Sequence, residues 1–100
     1  MISCFIRYDI APYTADKFAQ YARVWNEAIP RCGGRLVGYY GPHEGSLTTA
    51  YAIIDFENLA AYEAYRAALR RDKQSMDNFN FAKDAGFILH EERQFFQRIE

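Results

Sequence analysis

The sequence predicts an α+β fold of ferredoxin-like order, β-α-β-β-α-β, with one four-stranded antiparallel sheet and its helices on one face. Three observations carry this expectation. Stretches of two-residue alternation and stretches of helical spacing follow one another in that order. A glycine-rich turn joins the middle two strands. The third strand is apolar on both sides, which predicts a sheet covered on both faces.

Each element has its own justification. In residues 2–10, Ile2, Cys4, Ile6, Tyr8 and Ile10 fall on one face and Ser3, Phe5, Arg7 and Asp9 on the other. The first set is a core face, and the second is mixed. "APYT" is a turn in which Thr14 is placed to cap a helix and Asp16 to favour its positive end. Phe18, Tyr21, Ala22, Trp25 and Ile29 then make an apolar stripe. Pro30 predicts the end of that helix, and Gly33 and Gly34 its exit. Residues 35–41 and 48–56 read as strands joined by a turn of about five residues, "PHEGS". Gly38, inside the second strand, marks a bulge or a close backbone approach. Asn58 is a good N-cap for a second helix carrying Leu59, Tyr62, Tyr65, Arg66 and Leu69 on or near one face. Residues 72–85 predict a looser helical segment with Met76, Phe79 and Ala82 inward, and Gly86 breaks it. A last strand runs over about 87–99, "FILHEERQFFQRI".

Composition narrows the function. One hundred residues make one domain, 1–100, with no linker or repeat. Eight Tyr and eight Phe exclude a disordered chain. A net charge of −1 without a basic block argues against nucleic acid as a partner. No apolar run reaches the roughly 18 residues of a membrane span, so membrane insertion is not expected. The N-terminal stretch carries Arg7 and Asp9 and does not read as a signal peptide. Cys4 and Cys32 lie far apart, with Cys4 a small buried hydrophobe, and a reducing cytoplasm fits. The apolar third strand is best covered by a second copy of the same sheet, since soluble oligomers are mostly symmetric.

"GRLVGYYGPHEGSL" followed by "FENLAAYEAYRAALRRD", together with "YDIAPY" ahead of "DKF", resembles the NIPSNAP family over nearly the whole chain. The resemblance implies a dimeric α+β barrel, in which two ferredoxin-like protomers pack sheet to sheet around a cavity. That wider fold group includes heme-degrading and antibiotic-biosynthesis monooxygenases. The NIPSNAP branch itself implies no particular reaction. Where many members carry His-x-Trp in the third strand, this chain has Ala52 and Ile54. Trp25 and Asn26 are adjacent on one helix, unlike the set that degrades heme, so heme degradation is not expected.

The glycines of residues 34–45 do not form a phosphate loop, because Gly45-Ser46-Leu47 leads into a strand and no Lys-Ser or Lys-Thr follows. Two histidines do not supply a zinc site, and neither a metal nor a cofactor is expected. His43 is a solvated turn residue. His90 is either a polar strand residue or the best candidate for proton transfer, since its ordinary pKa lies near neutrality. Arg7 either pairs with Asp9, Glu91 or Glu92, or points into the cavity to orient an anionic ligand. Trp25, Tyr21, Tyr62 and Tyr65 belong to the core or its rim. Either Tyr39 or Tyr40 must face away from the helices, and with Tyr51 it suits a cavity lining.

Two functions fit. The preferred one is a small-molecule-binding homodimer with a cavity lined by Arg7, Tyr39, Tyr51 and His90. The other is a cofactor-independent oxygenase or isomerase for a small aromatic or polyketide-like substrate, with His90 as base and the tyrosines orienting. A scaffold with no ligand is a third.

Overall fold

A computed structural model describes residues 1–100 and shows the predicted order with one addition. The elements are β1 (Ile2–Ile10), α1 (Ala15–Arg31), β2 (Arg35–Tyr40), β3 (Thr49–Phe56), α2 (Leu59–Arg71), α3 (Lys73–Ala85) and β4 (Ile88–Gln97). The sheet order is β2-β3-β1-β4, with every neighbouring pair antiparallel. The looser segment before the last strand is thus a full third helix. Its inward residues are Ser75, Asn78 and Ala82, whereas Met76 is exposed. Asn78 Nδ2 donates to the Tyr21 carbonyl at 2.9 Å, which ties α3 to α1 by a polar contact that hydrophobic spacing does not reveal.

The helices cover one sheet face. Cys4, Ile6, Tyr8 and Ile10 of β1 and Ala50, Ala52, Ile54 and Phe56 of β3 point to it and join the core with Phe18, Trp25, Ile29 and Leu69. Asn58 caps α2 by accepting from the Ala61 N–H at 2.9 Å. Asp72 caps α3 and also receives Arg31 through two hydrogen bonds at 2.9 and 2.7 Å, so one carboxylate pins the ends of α1 and α2 to the start of α3. Thr14 does not cap α1. Its hydroxyl donates instead to the Ala11 carbonyl at 2.6 Å and closes the preceding turn. Pro30 does not stop α1, which runs one residue further to Arg31, because a missing N–H in the last turn disrupts only one ladder bond. Gly34 is required by contact: a Cβ there would stand 2.8 Å from Ile29 Cγ2.

Candidate functional site

The opposite sheet face has no layer over it. Strand register places Arg7 opposite Tyr51 on β3 and opposite Glu92 on β4, and Asp9 opposite His90. Since residues at even spacing share a face, Phe5, Arg7, Asp9, Tyr51, Ile53, His90, Glu92 and Phe96 all point away from the helices. Arg7 makes an ion pair with Asp9 at 3.4 Å. Phe5 and Phe96 meet edge to face with ring centres 5.2 Å apart. Phe5, Tyr51 and Phe96 remain 38%, 43% and 50% exposed, so apolar rings flank a polar centre on an open surface. The open face therefore brings together Arg7, Tyr51 and His90.

Tyr39 lies elsewhere. Counting outward from Leu36, strict alternation sends Tyr39 to the open face. The pairing of β2 with β3 shifts between Leu36 and Gly38, however, and this bulge inserts Val37. Tyr39 consequently stands opposite Ala52 and packs under the helices, where its hydroxyl meets that of Tyr8 at 3.2 Å. Tyr40 takes the open face. Gly38 serves both roles expected of it, since it follows the bulge and the Tyr40 ring lies over it, 3.2 Å from where a Cβ would be.

Between the sheet and the helices lies a recess with a free volume of about 20 Å³, lined mostly by apolar groups including Cys4, Ile54, Leu69 and Phe79. Its polar groups are Tyr8, Tyr21, Tyr39, Trp25, Arg66 and Arg93. Trp25 is 2% exposed, and its indole N–H is buried without a hydrogen-bond partner. Arg93 comes from the helix-facing side of β4, where Phe95 packs on Tyr62 with ring centres 4.8 Å apart. Its side chain is 31% exposed, and its nearest acceptor is Glu91 at 3.6 Å. Arg66 donates to the Tyr62 hydroxyl at 3.3 Å and lies 5.9 Å from the centre of that ring.

The electrostatics follow from burial. Burial pushes the Tyr21 phenol up to about 12 and carries Tyr8 and Tyr39 well above their ordinary value. Burial also raises the Cys4 thiol and the Tyr65 phenol, while Arg93 and Arg66 pull both the other way. The recess is thus a low-dielectric space in which two guanidiniums set the sign of the field.

Sequence reasoning missed Arg66 and Arg93 as site residues. The signal was present. Arg66 sits on the apolar face of α2, and Arg93 alternates with Phe95 in "HEERQFF" on the inner side of β4. No group of three or more His, Cys, Asp or Glu side chains gathers as a metal cluster.

The NIPSNAP family model matches residues 3–100. Among solved structures, protein Atu4242 from Agrobacterium tumefaciens is 19% identical, with 99% of this chain and 94% of that chain covered at a TM-score of 0.86. An uncharacterized NIPSNAP domain protein from Burkholderia xenovorans is 18% identical, with 99% and 95% covered at a TM-score of 0.80. An antibiotic biosynthesis monooxygenase is 10% identical, with both chains fully covered at a TM-score of 0.64. These likenesses show the fold. No curated protein matches the chain. No helix is long and apolar enough to cross a membrane.

Proposed function

The chain belongs to the NIPSNAP family, and from that premise we propose that it acts as a cytoplasmic homodimer, one domain per chain. Its open sheet faces pack together and hold a small molecule near Arg7, Tyr51 and His90. The observation that carries this reading is the open face itself, where half-exposed Phe5, Tyr51 and Phe96 surround paired charges. Four strands about 4.8 Å apart and roughly eight residues long at about 3.3 Å each give a face on the order of 500 Å² in plan. Side-chain relief raises this toward the roughly 800 Å² per partner of a stable interface. A second copy also matches the charges. Under two-fold symmetry Arg7 of each protomer can face the acidic Asp9 and Glu92 positions of the other. Free thiols at Cys4 and Cys32 suit a reducing compartment.

A second reading, a cofactor-independent oxygenase or isomerase with His90 as base, is favoured by one observation. Asp9 stands directly opposite His90, where a carboxylate can orient an imidazole.

Light scattering tests the dimer: the expected mass is twice the 11.6 kDa of the chain, and a monomer at micromolar concentration overturns the reading. A thermal-shift screen of small molecules tests the seam. Arg7→Ala and His90→Ala should each abolish a hit that binds there, and unchanged binding in both removes the seam as its site.

A further inference from the structure

The recess under the helices is separate from the seam, on the other side of the sheet, and its polar inventory is unbalanced. Trp25 offers one buried N–H with no acceptor. Arg93 carries five N–H donors in a largely buried guanidinium, and its contact with Glu91 at 3.6 Å is an ion pair too long for a hydrogen bond. Arg66 uses one donor, on the Tyr62 hydroxyl. Tyr8 and Tyr39 satisfy each other. Glu91 is the carboxylate beside this group, set against two guanidiniums, which leaves one positive charge unmatched in a mostly apolar setting.

A buried donor without an acceptor costs roughly 1–3 kcal/mol. Ligand sites are typically apolar pockets with a few convergent polar groups of one kind. Water alone can answer the indole N–H, for a free volume of about 20 Å³ holds roughly one water. It does not answer the charge. The mouth is formed by Arg66 and Tyr62, long side chains that are only partly buried, so a larger guest enters by displacing them outward.

We propose that this recess binds small monoanions with a flat apolar body, carboxylates of benzoate size. The carboxylate lies between Arg93 and Arg66 at the mouth, and the apolar body replaces the water further in. A planar carboxylate suits guanidinium forks, which pair with it through two parallel hydrogen bonds. The ring meets Leu69, Phe79 and Ile54, and the Trp25 N–H faces the same space from the closed end.

The chain's one tryptophan is the reporter. The full-length protein is titrated with benzoate and with neutral benzamide, following Trp25 fluorescence and its indole N–H resonance. Saturable shifts with benzoate, and binding of benzamide weaker by about tenfold or more, are expected from the loss of charge-assisted bonds. Arg93→Gln, and separately Arg66→Gln, should each weaken benzoate by about tenfold while leaving benzamide unchanged. Equal binding of the two probes, or no shift of Trp25 with either, overturns the proposal, and neither result needs a variant to fold. The outcome is independent of the seam. Light scattering and the Arg7 and His90 variants report on that face, whereas Trp25 reports only on this one.

Discussion

The hydroxyls of Tyr8 and Tyr39 meet at 3.2 Å although β1 and β2 are not neighbours in the sheet. β3 runs between them, and it carries Ala50 opposite Tyr8 and Ala52 opposite Tyr39. Two alanines leave room for the phenol rings to lean together over the strand, with ring centres 6.1 Å apart. The pair spans three strands beneath α1 and fixes which way β2 faces.

Removing one hydroxyl should therefore cost more than removing both. Tyr39→Phe leaves the Tyr8 hydroxyl buried and unpaired, which costs roughly 1–3 kcal/mol. The double variant Tyr8→Phe/Tyr39→Phe leaves no orphan, so its destabilisation should fall short of the sum of the two single variants. Urea unfolding of the four proteins measures the difference. Strict additivity would show that the hydroxyls do not interact.

This pair also shows where the sequence was legible and where it was not. β1 could be assigned to its faces because Cys4, Ile6, Tyr8 and Ile10 alternate without interruption. The second strand could not, because one inserted residue, Val37, reverses the parity of everything after it, and two tyrosines in a row look alike on either face. Gly38 hinted at the bulge but not at its direction. The α1 stripe was plain, while the inward side of α3 was hidden because Ser75 and Asn78 are buried through hydrogen bonds and not through apolar spacing. Arg7, Tyr51 and His90 were grouped by strand alternation. The recess was invisible because its two arginines lie in different elements, and only the packing of α2 against β4 brings them to one mouth.

Stability should fall at high pH, and the tyrosines set the direction. Burial raises the folded-state pKa of Tyr8, Tyr21, Tyr39 and Tyr65 above the ordinary value of 10.0. Above pH 10 the unfolded chain gives up these protons first, so the unfolded state is favoured as pH rises toward the folded-state values. For Tyr21, raised to about 12, the loss is on the order of 2–3 kcal/mol at about 1.4 kcal/mol per unit. Tyrosinate absorbance and circular dichroism recorded together through an alkaline titration test this. The buried tyrosines should ionise in the same step in which the helices unfold. Ionisation of all eight tyrosines ahead of unfolding would contradict it.

Phe5→Asp should separate the dimer without unfolding the chain. Phe5 is 38% exposed on the open face and makes its aromatic contact with Phe96, so the helix-side core is untouched. In a two-fold interface each change occurs twice, and two carboxylates are then taken from water into a largely apolar seam. Scattering mass should fall by half while the circular dichroism spectrum is retained. A dimer that persists with its affinity unchanged would place the interface on another surface.

Arg98 should matter more than its exposure suggests. Its guanidinium reaches Asp55 at 2.8 Å, and the Ser3 hydroxyl donates to the other carboxylate oxygen at 2.6 Å. Asp55 is only 4% exposed, whereas the Arg98 side chain is 47% exposed. An exposed pair contributes about 0–1 kcal/mol, but here loss of the arginine strands a buried carboxylate on one remaining hydrogen bond. Arg98→Ala should then cost on the order of 2–3 kcal/mol. Asp55→Asn in the same background removes the stranded charge and should restore part of that loss. Because Arg98 also donates its backbone N–H to the Met1 carbonyl at 3.3 Å, the effect should be local as well as global. Amide exchange near the end of β4, around Phe96 and Gln97, should quicken in Arg98→Ala and slow again in the double variant. A double variant no more stable than Arg98→Ala would mean that the buried charge is not the source of the loss.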